Sequence, residues 1–526
     1  MTVRYVDAIV VVVYLIGIAA IGLKLSGRQR SSDDYFVGEG KMSWWAVCFS
    51  VVATETSVLT VISIPGGAYS DQGFGNLELA FGYIIGRVVV ATLLIPLYKR
   101  GGFVSAYQYL GERFGRGLQS LASVTFVFTR LLAEGVRLFA AAIPIKLMLD
   151  EFGIATNYPV IIIALSVITV AYTYLGGIKA VIWTDAIQMF LYIGGALLAI
   201  GVLSASVGGA GFAAALDAGK FQVFDTNFGI EHVLTSTFAL PTAIIGGAIF
   251  AMASHGSDQL MVQRILSTRS VRDGQLAMIG SGIFIALQFT AFSLVGALLW
   301  AYNEGKTYTQ LGLGSTDNLY PQFILHALPV GISGLLVAGI LGAAMGSLSS
   351  ALNSMSNSTV ADLISVYRTN RPPDEVILRL GRVMTLVWAV LMAAFACWFS
   401  DKTGNVYLTG LAIAGYTYGA LLGAFLLGRL VPRAGQREAV AGFVVTVLVM
   451  TFIVRVVRVD VPLAAGGTKP TAIAAQWLVP IGVLITVAVG WLCRFLPYNQ
   501  RPARSTRETV SAESSSTTSA RNPDAS

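Results

Sequence analysis

The chain has 526 residues, 55% hydrophobic and 12% charged, with 35 Lys+Arg against 28 Asp+Glu and a net charge of +7. A soluble domain carries roughly 25% charged residues. The deficit runs through most of the length, which sets aside both a soluble globular protein and a protein with a single anchor. Continuous apolar runs, instead of alternating segments of about 10 residues, set aside a membrane β-barrel.

A bilayer crossing needs about 20 apolar residues, and the chain predicts about thirteen spans, at 5–23, 43–69, 79–98, 118–149, 158–174, 182–206, 233–253, 275–301, 330–364, 380–400, 405–430, 438–457 and 475–496. The first run lacks a clean small-residue cleavage site and reads as a retained span, not a signal peptide. The second span carries Ala53-Thr54-Glu55-Thr56-Ser57 in its middle, followed by Pro65-Gly66-Gly67. The fourth carries Arg130, Glu134 and Arg137, spaced for pairing within one helix or for substrate contact. Lys146, near that span's end, can snorkel to the interface. The sixth begins near Asp185, and an ionisable residue in a span is by default a functional-site hypothesis. A helix N-cap by Thr184 or Asp185 is the structural alternative. The seventh is interrupted by Pro241 and Gly246-Gly247. The ninth is the most polar. Its Ala343, Ser347 and Ser350 share one face and Gly346 and Ser349 the next, which suits either a small hard cation or close helix packing. Residues 501–526 are Ser/Thr/Arg-rich and read as a disordered cytoplasmic tail after a transmembrane domain over 1–500.

Lys and Arg alternate between loops: Lys24, Arg28, Arg30, Lys41; then Lys99, Arg100, Arg113, Arg116; then Arg264, Arg269, Arg272; then Arg368, Arg371, Arg379; then Arg429, Arg433, Arg437. The loops between carry few. The positive-inside rule then puts the N-terminus outside and the C-terminus in the cytoplasm of a multi-pass protein of the cell membrane. The basic residues are topology charges and do not form a nucleic-acid surface. Cys48, Cys397 and Cys493 lack ligand spacing and read as packing residues. His232, His255 and His326 make no metal motif.

The interrupted spans are the second and the seventh. Each begins a group of five, so the chain reads as two inverted repeats, about 43–206 and 233–430, with extra helices at 5–23, 438–457 and 475–496. Discontinuous helices at matching places in two halves point to a transporter site at the repeat interface. Two helices kinked by packing glycines are the alternative.

Several stretches, in order over about 5–500, resemble the sodium/solute symporter family. These are Tyr35-Phe36-Val37-Gly38 with Ser43-Trp44-Trp45-Ala46, Gly176 through Gln188, Asp258 through Arg264, Ala343 through Asp362, and Tyr418 through Gly428. The resemblance implies an all-α membrane protein with the LeuT-type 5+5 fold and two broken helices, importing a solute with Na⁺ by alternating access. It places one sodium site on Ala53, Thr56, Ala343, Gly346 and Ser347, where Gly346 stands in for a hydroxyl that many members carry. It places a second on Asp185, Ser349 and Ser350. Glu55 falls where proline-transporting members carry an aspartate, and the second span lacks the pattern of the sugar branch. The run from Gly86 to Leu110 is similar to the monocarboxylate, iodide and vitamin branch. A small organic anion or zwitterion is the expected solute, with Thr54, Glu55, Ser57, Thr60, Arg137, Phe250 and Ser254 lining its site. Glu55 is open to substrate binding, proton sensing or pairing with an arginine such as Arg137.

A sodium-coupled sugar symporter and a proton-coupled symporter of the same fold are the nearest alternatives. A membrane-embedded enzyme would need a nucleophile/base set or metal cluster that the sequence lacks. A sensor would need an attached signalling domain. Solute, Na⁺ and the lipid bilayer are the expected partners, with no nucleic acid and no obligate protein partner.

Overall fold

A computed structural model describes residues 5–26, 31–151, 153–368, 370, 372–399, 406–462 and 467–496. The tail expected at 501–526 lies outside them, as do Arg28, Arg30, Arg371 and Lys402. The first half holds α1 (Tyr5–Ser26), α2 (Ser32–Val37), α3 (Trp44–Glu55), α4 (Val58–Tyr69), α5 (Gly75–Leu93), α6 (Ile95–Gly101), α7 (Ala106–Phe114), α8 (Arg116–Glu151) and α9 (Tyr158–Asp217). The second holds α10 (Ile230–Thr235), α11 (Gly247–Gly256), α12 (Gln259–Leu266), α13 (Val271–Tyr302), α14 (Leu319–His326), α15 (Ile332–Ser358), α16 (Asp374–Trp398), α17 (Val406–Leu430), α18 (Gln436–Val456) and α19 (Ala475–Cys493). Two short strands, β1 (Val459–Pro462) and β2 (Thr468–Thr471), form an antiparallel hairpin between α18 and α19. Nothing in the apolar pattern announces that hairpin.

Among the described residues, nine helices are long and apolar enough to cross a membrane, or ten if the bent pair α3–α4 is one span. The expectation of about thirteen adds α8 with its three mid-helix charges, the short helix Thr242–Gly256, and a second span drawn from α9. At 1.5 Å per residue, the 60 residues of α9 would stretch about 90 Å, roughly three times the hydrocarbon thickness. Gly177 divides it, with φ 54° and ψ −153°. A Cβ there would stand 2.6 Å from the Tyr35 carbonyl oxygen, so glycine is required both by conformation and by space. The sequence reading put a loop at 175–181. The structure does the same work at one residue.

The second interruption also takes a different form. Gly246 and Gly247 are both helical in φ and ψ. The irregularity is a π-turn over Thr242–Gly246, directly after Pro241. The nearby glycines lie on the partner helix: Gly82 and Gly86 of α5 face the carbonyls of Ala243 and Ala248 so closely that a Cβ on either would collide. These two helices therefore run backbone against backbone.

Helix α15 is almost wholly buried and packs against α1, α3, α4, α8, α9 and α16. Its N-terminus is capped from another helix. Asp7 of α1 accepts from the backbone N–H of Gly331 and Gly334 at 2.7 and 2.9 Å, and from Ser333 Oγ at 2.7 Å. A carboxylate is stabilising at a helix N-terminus. At the other side of the fold, Arg113 donates to the carbonyls of Gly428, Ala434 and Pro432 at 3.2, 3.2 and 2.7 Å, closing the end of α17. The last three helices pack on one another, and α17 leans on α8.

Candidate functional site

The chain bends by 66° between α3 and α4. Thr56 and Ser57 adopt extended backbone there. The local sequence favours this. The hydroxyl of Thr56 back-bonds to the Val52 carbonyl at 2.8 Å, and Ser57 N–H turns to Thr60 Oγ1 at 3.3 Å. Such side-chain bonds compete with the helix ladder. The last carbonyls of a helix lack intrahelical donors. Accordingly, those of Ala53, Thr54 and Glu55 accept none of the described backbone hydrogen bonds between elements. Pro65-Gly66-Gly67 lies inside α4 and does not make the break.

Helix α15 packs against both α3 and α4, so Ala53 on α3 and Thr56 in the break between them belong to a helix pair in contact with the one bearing Ala343, Gly346 and Ser347. All five are buried. Ser347 Oγ donates to the carbonyls of Ala343 and Ala344 at 3.2 and 3.1 Å. Thr56 Oγ1 also meets the Gln288 side-chain amide at 2.8 Å.

Asp185 is fully buried within α9, two turns past the break at Gly177. It is therefore not an N-cap, and neither is Thr184, whose hydroxyl bonds back to the Ala180 carbonyl at 2.9 Å. Asp185 Oδ2 accepts from Ser50 Oγ at 2.9 Å, and from Thr54 Oγ1, Ser350 Oγ and Arg264 Nη2 each at 3.2 Å. Arg264 also donates to Ser50 Oγ at 3.0 Å, to the Leu260 carbonyl at 2.6 Å, and to Ser350. Ser349 is turned away from this group, donating to the Gly346 carbonyl at 3.1 Å.

Two sequence expectations change here. Arg264 is not a loop charge; its side chain is completely buried. Thr54 is fully buried and its hydroxyl turns to Asp185. A signal for Arg264 existed. A buried carboxylate calls for a cation, and Arg264 sits among Leu260, Met261, Val262, Ile265 and Leu266.

A second polar group lies past the α3 end. Glu55 pairs with Arg87, not with Arg137. Arg87 also donates to Ser281 Oγ at 2.9 Å, and His255 Nε2 stands 3.5 Å from Glu55 Oε2. Ser254 Oγ meets His255 Nδ1 at 2.8 Å. Of the three roles open to Glu55, the structure displays arginine pairing. Arg87 was not singled out as the partner. Phe250, half-buried, stacks on Tyr83 with ring centroids 6.2 Å apart and leans on Tyr418 at 5.9 Å.

Arg130 joins three helices. It contacts Glu134 at 2.9 Å, Tyr418 Oη at 2.7 Å and Asp258, to which its Nε donates at 3.1 Å. Tyr418 Oη in turn donates to Asp258 Oδ2 at 2.7 Å. Among the described residues Arg137 donates only to Glu134, at 3.0 Å, and its side chain keeps 30% exposure. Of Arg130 and Arg137, it is the more exposed and makes the fewer hydrogen bonds.

The model of the sodium:solute symporter family matches residues 35–446. The chain belongs to the sodium:solute symporter family. This symporter is 28% identical over 452 residues to the sodium/sialic acid symporter SiaT of Proteus mirabilis, with 83% of this chain and 86% of that one covered. It is 29% identical over 470 residues to the sodium-dependent multivitamin transporter of Oryctolagus cuniculus, with 86% and 70% covered. It is 28% identical over 448 residues to the human sodium-coupled monocarboxylate transporter 1, with 83% and 71% covered. Among solved structures it resembles a Na⁺-coupled sialic acid symporter in its substrate-bound outward-open state, with a TM-score of 0.79 and 26% identity over 94% of this chain and 99% of that one. The symporter is thus an all-α multi-pass membrane protein of LeuT-type fold, and Na⁺ is its co-transported ion. Its relatives are transporters, not enzymes.

Proposed function

We propose that the symporter imports a small organic anion with Na⁺, binding the solute between the α3–α4 break and α8. Arg137 is the observation that carries this reading. It is a partly exposed guanidinium with one carboxylate neighbour that it shares with Arg130. A solute carboxylate is the natural partner for its remaining donors. Ser57, Thr60, Phe250, Ser254 and Glu55 line the same space in this reading. Glu55 acts chiefly by holding Arg87, so it adds no uncompensated negative charge to repel the solute. The relatives named for sialic acid and monocarboxylate carry acids, which favours this reading over a sugar.

The sodium ion sits in the gap left by the α3–α4 break, against Ala343 and Ser347. Bound there, it bridges helices that separate when the site opens inward. Sodium and solute then stabilise the same state and raise each other's affinity. The two repeats run over about 43–206 and 233–430. The exposed Arg269 and Arg272 keep their loop basic after Arg264 is withdrawn from it, so an outside N-terminus and a cytoplasmic C-terminus still follow.

Proteoliposomes loaded with K⁺ and diluted into Na⁺ test the coupling. Uptake of a labelled sialic acid, a short monocarboxylate or a vitamin should accumulate above equilibrium only with the inward sodium gradient. Arg137→Lys should raise KM for the accepted anion about tenfold, because one hydrogen bond to a charged group contributes about 1.5–3 kcal/mol. An unchanged KM would remove Arg137 from the solute site.

A further inference from the structure

Ser254 is half-buried on α11, and the next residue, His255, is enclosed. Ser254 Oγ meets His255 Nδ1 at 2.8 Å and the Ala251 carbonyl at 3.4 Å. The other ring nitrogen, Nε2, stands 3.5 Å from Glu55 Oε2. A nitrogen that faces a carboxylate carries the hydrogen, because two lone pairs there would repel. A neutral imidazole has one N–H, so Nδ1 is left as an acceptor and the Ser254 hydroxyl donates to it. The ring stays neutral because Arg87 already pairs with Glu55, and a second buried cation would lack a carboxylate of its own. Were Nδ1–H instead turned toward Ser254, the serine hydrogen would go to the Ala251 carbonyl. In either tautomer that hydrogen is used inside the protein, and Oγ offers a lone pair outward.

Other groups of the same space have the opposite bias. Thr60 Oγ1 accepts the Ser57 N–H at 3.3 Å and, among the described residues, gives its own hydrogen to no acceptor. Arg137 can only donate. A solute ammonium finds no carboxylate left over: Glu55 pairs with Arg87, and Glu134 is shared by Arg130 and Arg137.

We infer that Ser254 selects a neutral hydroxyl on the solute, so that the acid carried is a hydroxy acid. Its carboxylate meets Arg137 and Thr60, and its O–H donates to Ser254 Oγ. This inference rests on the anion site proposed above and narrows it. A keto oxygen at that place would set lone pair against lone pair. A plain alkyl acid leaves the Ser254 oxygen without a partner, which costs affinity. The ammonium of an amino acid could donate, but it would stand near Arg137 with no free carboxylate to balance it. His255 is a positioning residue: it touches no solute and fixes the direction of the Ser254 hydroxyl.

Lactate, pyruvate, propionate and alanine are similar in size and differ in the group beside the carboxylate. Gluconate and hexanoate repeat the comparison on a longer chain. Thermal stabilisation of the full-length protein in detergent and Na⁺ gives an affinity for each. Lactate should bind about fivefold tighter than pyruvate or propionate, the worth of one neutral hydrogen bond. Gluconate should exceed hexanoate in the same way, and alanine should trail lactate. Ser254→Ala should cut the preference for the hydroxylated acid about fivefold. His255→Phe frees the Ser254 hydrogen to turn outward, and pyruvate should then gain on lactate, a change of preference that a purely structural role would not produce. Equal affinities for hydroxylated and plain acids, a preference for alanine, or a preference untouched by Ser254→Ala each overturns the hydroxy-acid inference while the anion site stands. Should His255→Phe fail to fold, Ser254→Ala decides alone. If none of these acids stabilises the protein in Na⁺, the anion site itself falls and takes this inference with it.

Discussion

Replacing Arg264 with leucine should destabilise the symporter by about 3–5 kcal/mol, the usual range when one partner of a buried ion pair is removed. Arg264 and Asp185 are both fully enclosed. The abandoned carboxylate is left buried without a cation, and Ser50, Thr54 and Ser350 only share its charge through hydroxyls. The damage also spreads mechanically, because Arg264 ties α12 to α3, α9 and α15 at once. Thermal unfolding in detergent measures the loss. The discriminating experiment is the cycle with Asp185→Asn. Once the charge is gone, Arg264→Leu should cost much less, with a coupling energy above about 1 kcal/mol, inside the range for residues in direct contact. Additive losses would show that Arg264 acts through packing alone.

Asp258 is the second vulnerable point. It caps α12, where Leu260 N–H donates to Oδ1 at 2.9 Å, and its other oxygen accepts from Arg130 and Tyr418. Asp258→Asn keeps a capping oxygen but removes the charge. Asp258→Ala removes both. A graded loss is expected. The alanine variant should lose about 1 kcal/mol more than the asparagine variant, the typical worth of an N-cap. The asparagine variant should itself lose about 3 kcal/mol or more, because Arg130 is left short of a buried partner. Tyr418→Phe should lose only about 1 kcal/mol, one neutral hydrogen bond. Equal losses for all three would mean that the network is not apportioned as its geometry indicates. Since Arg130, Asp258 and Tyr418 lie on α8, α12 and α17, each variant should also slow transport beyond its effect on folding.

The sequence made the membrane class, the break in the second span and the importance of Asp185 readable, each for a physical reason. Low charge content fixes the solvent. A glutamate and hydroxyls in an apolar run betray an unwound backbone. A lone intramembrane carboxylate is too costly to be idle. It did not show which cation answers which carboxylate. Glu55 has several arginines within reach along the chain, and only the packing of α3 and α5 on the same helix, α13, selects Arg87 over Arg137. Arg264 was misplaced because the positive-inside count treats every basic residue between apolar runs as a loop charge. Thr54 was placed with the solute because adjacent residues of a broken helix seem to share a cavity, whereas Thr54 points toward α9. The interruption near Gly177 is legible as a loop over 175–181, but the sequence does not show that one glycine in a left-handed conformation suffices to make it. The packing of α1 against α9 and α15 pairs the first span with much later ones, which no local pattern encodes.

The glycine-lined seam between α5 and the helix Thr242–Gly256 limits how the molecule can move. Side chains that interlock across an interface give it alternative seatings, like teeth that engage at more than one notch. Gly82 and Gly86 offer no teeth, and the carbonyls of Ala243 and Ala248 press directly on their backbone. Sliding would leave a gap or a collision at every intermediate point. These two helices, one before α9 and one after it, are welded into a single strut. The pivots of the transport cycle must then fall elsewhere, at seams whose side chains can trade partners.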